Sequence, residues 1–350
     1  MSADSGPSGS LKGCWAATSA GCGRGPICRA GFEPAARRSR ASAASVLVGV
    51  ALVLASCSGS GPAPSGPAGQ AGSAAATSAG TRQPAAGSAS PPATGAQPGA
   101  VPEPAHIVVV VMENHSYAEI IGNPAAPFIN TLAGHGALLT RSYAITHPSQ
   151  PNYLALFSGS TQGVTDDGCP YRFTAPNLAT DLIRSGKSFA GYAEGLPGPG
   201  SPVCSAGDYA RKHVPWAYFS SVPGSVSLPF TGFPAAAFAR LPTVSFVIPD
   251  LCHDMHDCSI GVGDAWLAAH IGRYADWAMS HDSLLIVTFD EDDHSAGNHI
   301  PTIFAGQQVR PGRYAEPVTH YSVLATIETA YALPREGQAA TASPITNIWR

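Results

Sequence analysis

Three short acidic segments, far apart in the chain, carry residue types that bind a cation. Asp290-Glu291-Asp292-Asp293 places four carboxylates within a turn. Their mutual repulsion calls for a counter-charge, which a divalent ion supplies. Glu113-Asn114 offers a carboxylate and an amide oxygen, and the run Asp250 to Asp257, with His253, Asp254 and His256, mixes imidazole with carboxylate. His299 is a further candidate ligand or phosphate contact. Taken singly, each of these also fits a solvated loop, a turn or a structural histidine. Taken together, they point to a metal centre.

A fourth segment, Thr146 to Tyr153, holds a candidate nucleophile. Pro151 suits the first turn of a helix continuing through Asn152–Phe157, which leaves Ser149 just outside a helix N-terminus. Backbone N–H groups and the helix dipole favour an anion there, and a bound metal lowers the pKa of the hydroxyl. A plain Ser-Pro turn is the alternative. A serine-hydrolase triad would need Gly-x-Ser-x-Gly between a strand and a helix. Gly159-Ser160-Thr161-Gln162-Gly163 has threonine at its centre, and neither a Walker A nor a dinucleotide-binding fingerprint occurs.

The elements that must position these groups read as one α/β domain. His106–Met112 (HIVVVVM) is a continuous apolar run of strand length, as in a buried parallel sheet. Ser188–Ala193, Thr243–Ile248, Ser283–Phe289 and Pro301–Ala305 read as further strands. Ala126–His135, Asn177–Ser185, Asp264–Ser280 and Tyr321–Leu333 have helical spacing. Alternation of this kind argues for a three-layer sandwich around a central, mainly parallel sheet. The three acidic segments each follow a strand, and ligands bind beyond the carboxyl ends of strands in such sheets. They are therefore expected to converge on one edge.

The first hundred residues are different in kind. Up to Pro104 there are 7 Lys/Arg, 3 Asp/Glu and no histidine; from Ala105 onward there are 12 Lys/Arg, 20 Asp/Glu and all 12 histidines. The acidic balance gives no footprint for nucleic acid. Ala41–Ala55 is an apolar run behind Arg37, Arg38 and Arg40, too short to span a bilayer comfortably, and it ends Leu54-Ala55-Ser56-Cys57. This resembles a lipobox with Cys57 as the lipidated residue; an ordinary cleaved export signal is the alternative. Residues 1–57 are thus a leader with a lipoprotein signal, 58–104 a Gly/Ala/Pro/Ser-rich disordered tether, and 105–350 the domain. The expected place is the cell envelope, by a lipid on the outer face of the membrane, or outside the cell. Four cysteines remain in the domain, and an even number in an exported domain suggests two disulfides. Of three pairings, Cys169–Cys204 and Cys252–Cys258 are favoured because each closes a loop rich in Gly, Pro or Asp. Nothing in the sequence sets an oligomeric state.

Met112-Glu113-Asn114-His115-Ser116-Tyr117, His147-Pro148-Ser149-Gln150-Pro151-Asn152-Tyr153 and Phe289-Asp290-Glu291, with Arg211-Lys212-His213-Val214-Pro215 and Thr319-His320-Tyr321-Ser322, resemble the bacterial phosphoesterase family. That family holds acid phosphatases and phospholipases C, and its fold is similar to alkaline phosphatase. The resemblance implies a metal-dependent hydrolase of phosphoric esters, acting on a small phosphate ester or a phospholipid head group. It makes Ser149 the nucleophile and Glu113, Asn114, Asp290 and Glu291 the ligands of a metal. Asp250, Asp254, His256 and His299 fall where a second metal is often held, so one or two ions are implied. Asn152, Lys212, His213 and His320 become substrate contacts. Two departures, Asp292-Asp293-His294 and Glu291 in place of a histidine, make the ligand set richer in oxygen, and Ca²⁺, Mn²⁺ or Fe join Zn²⁺ as possible ions. A binding module without catalysis is the reading from another class.

Overall fold

The computed structural model describes residues 100–350; the leader, Cys57 and the tether up to residue 99 lie outside the described residues. β1 (His106–Met112) is buried along almost its whole length, so both of its faces need covering. Ile107, Val109 and Val111 join one core and Val108, Val110 and Met112 the other. This is the two-residue alternation of a strand between two helical layers. Each valine fully removed from water contributes roughly 1.5–3 kcal/mol of transfer free energy, and this run supplies four.

The remaining strands are β2 (Ala137–Tyr143), β3 (Phe189–Ala193), the small β4 (Ser205–Ala206) and β5 (Tyr209–Ala210), β6 (Ser227–Pro229), β7 (Val244–Ile248), β8 (Ser283–Phe289), β9 (His299–Gly306), β10 (Gly312–Tyr314) and β11 (Val318–Thr319). Eight of them join β1 in one nine-stranded sheet, in the order β10-β2-β9-β8-β1-β7-β3-β6, with β11 beside β2; β4 pairs only with β5. β9 runs antiparallel to β8 and β2, and every other pairing in the large sheet is parallel. In register, Val110 sits opposite Val247 on one side and Val287 on the other.

The helices are α1 (Tyr117–Ile120), α2 (Pro127–His135), α3 (Ser149–Ser158), α4 (Leu178–Arg184), α5 (Ile260–His270), α6 (Gly272–Ala278) and α7 (His320–Ala330). α3, α4 and α7 cover one face of the sheet, and α1, α2, α5 and α6 cover the other. The expected three-layer α/β sandwich is present. Because β8, β1 and β7 are adjacent and parallel, the segments after Met112, Ile248 and Phe289 emerge at the same edge.

Three local readings change. The helix expected over Asp264–Ser280 starts earlier, at Ile260, and is broken between His270 and Gly272. Gly261 and Gly263 lower helix propensity and hid the true start. β2, with its mixed sequence ALLTRSY, lacks the apolar run that marks the central strands. α3 begins at Ser149 itself, so the serine lies in the first turn and not outside it. Its C-terminus is fixed by Gly159, at φ +67°, where an added Cβ would stand 2.0 Å from the Glu336 carbonyl oxygen. Only glycine meets both demands.

Both favoured disulfides form, closing separations of 35 and 6 residues. Such bonds persist in oxidising compartments, as expected of an exported protein. No helix among the described residues is long and apolar enough to cross a membrane.

α7 carries a buried carboxylate. Glu328 is 1% exposed, with Arg335 Nε 3.4 Å away, and burial pushes its pKa up to about 8. The unfolded value is near 4.3. Between these values the unfolded chain releases a proton that the folded protein retains, so this group makes stability fall as pH rises from about 4.5 to 8. Glu328→Gln should flatten that part of the curve of melting temperature against pH. A slope equal to wild type would assign the loss to other groups.

Candidate active site

Glu113 follows β1 directly and is fully buried. Asp290 and Glu291 follow β8 and are 1% and 2% exposed. Ser149, in the first turn of α3, brings its hydroxyl 3.1 Å from Glu113 Oε2 and 3.2 Å from Glu291 Oε1. A hydroxyl has one proton, so it can donate to only one of these oxygens at a time. Burial pushes Glu291 up to about 7 against hydrogen bonding by Ser149 and Asn114. Glu113 and Asp290 are raised by burial too, with their negative neighbours adding to it.

The donor set fits a hard divalent cation. Both carboxylate oxygens of Asp290 are buried without a hydrogen-bond partner. Several acids share the space, and buried charges are ordinarily paired or bound to metal. Carboxylate, amide and hydroxyl oxygens from Glu113, Asn114, Asp290, Glu291 and Ser149 are the ligand type preferred by Ca²⁺, Mg²⁺ and Mn²⁺.

A second cluster adjoins the first. His213 is enclosed with Nε2 3.2 Å from Glu113 Oε1 and Nδ1 3.3 Å from Asp254 Oδ2. Burial pushes His213 down to about 4, although Glu113 opposes it, and pushes Asp254 up to about 8. A neutral imidazole offers one N–H and one lone pair, so one of these contacts sets a lone pair against an oxygen unless a proton or cation intervenes. Glu113, His213 and Asp254 have ligand atoms within 4.8 Å of one another. Tyr153, stacked on the His213 ring at 5.0 Å, donates its hydroxyl to Glu113 Oε1.

Several residues lie elsewhere than the sequence suggested. Asp250 is not with Asp254 but with Glu194 and His253 in a half-exposed group, where His253 Nδ1 is 3.0 Å from both carboxylates. His256 turns Nδ1 to Asp257, at 2.7 Å, and Nε2 to Lys212, at 3.5 Å. His299 bonds the Thr140 carbonyl oxygen at 3.0 Å and stacks on Tyr117 at 4.6 Å, a structural contact. Asn152 organises its own loop, with Oδ1 accepting from the N–H groups of Ile145 and Thr146 and the amide donating to the Thr146 carbonyl, and the same amide reaches Glu291 Oε2 at 3.4 Å. His320 lies behind Asp290, bonded at 2.6 Å to that residue's main-chain oxygen, and His213 faces carboxylates. Of the four expected substrate contacts, Lys212 keeps a suitable place, with Nζ 3.0 Å from Asp167.

Sequence reasoning missed three participants. His147 contacts Glu291 at 2.7 Å and Asp292 at 3.2 Å and stacks on His294 at 3.8 Å. Its position two residues before Ser149 was the available signal. Asp167 accepts from the Gln150 N–H and from Lys212, tying the first turn of α3 to the Lys212 ammonium, and Glu194 directly follows β3 at the same edge. No local pattern marks Asp167; for Glu194 the available signal was its place after the expected strand Ser188–Ala193.

Comparison with known proteins gives the chain its relatives. The phosphoesterase family model matches residues 123–334. A Mycobacterium tuberculosis protein named phosphatidylinositol-3-phosphatase is 55% identical over 260 residues, covering 74% of this chain and 87% of that protein. An acid phosphatase of Aspergillus fumigatus is 33% identical over 229 residues, and the chain spans about half, 51%, of its length. Among solved structures, the lipoteichoic acid synthase LtaP from Listeria monocytogenes shares the fold at 10% identity and a TM-score of 0.54, over 72% of this chain and 77% of that one. The chain belongs to the phosphoesterase family and is a phosphoric ester hydrolase.

Proposed function

We propose that the protein is a metal-dependent phosphomonoesterase with Ser149 as its nucleophile. The observation that carries this reading is the Ser149 hydroxyl held 3.1 Å from Glu113 and 3.2 Å from Glu291, beside the unpartnered Asp290. A divalent cation held by Glu113, Asn114, Asp290 and Glu291 would supply Lewis-acid charge and lower the pKa of the hydroxyl. Ser149 Oγ attacks phosphorus in line as its proton passes to a neighbouring carboxylate. The bond to the leaving oxygen breaks, the alcohol departs with a proton, and the phosphoryl group is left on the serine. Water then attacks the phosphoserine, releasing inorganic phosphate and restoring the hydroxyl. Lys212 offers positive charge to the phosphate oxygens, and Asp167 holds both Lys212 and the turn that carries the nucleophile. His213 and Asp254, with Glu113, are the residues for a second ion.

The named relatives support a monoester, including one borne on an inositol lipid. A lipid on Cys57 and a tether of over forty residues would hold the domain near such a surface. The test compares p-nitrophenyl phosphate and phosphatidylinositol 3-phosphate with bis(p-nitrophenyl) phosphate and phosphatidylcholine, across a panel of divalent ions. The monoesters should exceed the diesters in kcat/KM by about 100-fold or more. Faster release of phosphocholine would make the protein a phospholipase C. Hydrolysis of nothing above the Ser149→Ala background would make it a binding module.

A further inference from the structure

Arg211, Lys212 and His213 form one 3₁₀ turn, and their side chains serve two different places. Lys212 and His213 belong to the catalytic edge. Arg211 instead lines a cavity of about 480 Å³ together with Arg172, Tyr171, Tyr218 and Phe219, between Pro170 and Pro202 at the Cys169–Cys204 bridge. A smaller cavity of about 150 Å³ shares Arg211 as a wall.

The polar groups of this cavity are incompletely satisfied. Arg211 donates through Nη1 to the Pro202 carbonyl at 2.8 Å and through Nη2 to the Ala217 carbonyl at 2.6 Å. Its Nε is buried without a hydrogen-bond partner, and its guanidinium lies 4.9 Å from the Tyr218 ring centre. Tyr218 is 1% exposed and its buried hydroxyl is also unpartnered, as is that of neighbouring Tyr209. Arg184 and Arg335 have carboxylate partners; Arg211 and Arg172 have none among the described residues. Tyr171 donates to Asp166, which is further engaged by the Gly168 N–H. A partly buried cation without a counter-ion, set among phenol hydroxyls and apolar walls, thus keeps an unpartnered N–H, on Nε, beside unpartnered hydroxyls. A guanidinium fork with adjacent hydroxyls matches the oxygens of a phosphate.

We propose that this cavity is a second anion site, which binds a phosphate or phosphate-ester group through Arg211, Arg172 and Tyr218. The bond is non-covalent, and the proposal stands apart from the catalytic reading. The ligand chemistry has two sources, free phosphate and the phosphorylated head group of a lipid.

The test uses the full chain stripped of metal, so that the acidic catalytic edge repels phosphate and does not contribute. The Arg211 Nε–H resonance, assigned by its loss in Arg211→Lys, is followed by NMR. One arm adds inorganic phosphate; the other adds phosphatidylcholine vesicles with and without phosphatidylinositol 3-phosphate. A saturable shift in the first arm identifies a site for free phosphate, and a response only to phosphorylated vesicles identifies one for the lipid head group. In either case the double variant Arg172→Ala with Tyr218→Phe should bind about tenfold more weakly. Its turnover of p-nitrophenyl phosphate with metal restored should match wild type. An unmoved resonance in both arms, or unchanged affinity in the double variant, overturns the proposal, whether or not the catalytic edge hydrolyses monoesters.

Discussion

Ser149→Ala should reduce phosphomonoester turnover by roughly a thousandfold or more while leaving the fold intact. Replacing the oxygen with hydrogen removes the only hydroxyl, among the described residues, within hydrogen-bond distance of both Glu113 and Glu291. Neither carboxylate can replace it as a nucleophile without leaving the contacts that hold it, since Glu113 is also bonded by Tyr153 and approached by His213. Ser149 is a small buried side chain in a helix, and alanine has the better helix propensity, so melting temperature should change little. Acid quenching during turnover should trap phosphate on the peptide containing Ser149 in wild type and on no peptide in the variant. Turnover by Ser149→Ala within tenfold of wild type would remove the serine from the mechanism.

Asp290→Asn carries the second large effect, and its sign depends on metal. In the metal-free protein, Asp290 is a buried acid with two unpartnered oxygens, raised by burial and by its proximity to Glu113 and Glu291. Removing its charge relieves that repulsion, so the metal-free variant should melt at a higher temperature than metal-free wild type near neutral pH. Loss of a ligand should at the same time weaken divalent-ion affinity about 100-fold or more and reduce turnover in proportion. A ligand at a hundred times its dissociation constant stabilises a folded protein by about 2.7 kcal/mol. Added metal should therefore raise the melting temperature of wild type much more than that of Asp290→Asn, and the order of the two proteins should reverse. Equal metal-induced shifts would mean that Asp290 is not a ligand.

The legibility of this molecule in its sequence has a physical boundary. β1, β7 and β8 are buried on both faces, so their sequences are almost unbroken apolar runs, and the acids that follow them had to emerge at one edge. Glu113, Asp290 and Glu291 were recognisable as candidates for that reason, and Ser149 from the helix start that Pro151 marks beside it. The places of Asp250 and His256 were not recognisable, because they lie in an irregular loop, where neighbours in sequence point to different partners. His299 was misjudged because a polar residue at the start of a strand carries no sign of whether it turns to the site or, as here, to Thr140 and Tyr117. Asp167 reaches the edge from a loop distant in sequence, and only the fold brings it there.

Anomalous diffraction from crystals of active, metal-loaded protein would address the gathering of one ion by Glu113, Asn114, Asp290, Glu291 and Ser149 most directly. The expected result is a peak among these side chains, with bonds of about 2.0–2.6 Å to their oxygens. Active crystals with no metal peak there, or with their only peak at Glu194, Asp250 and His253, would contradict it.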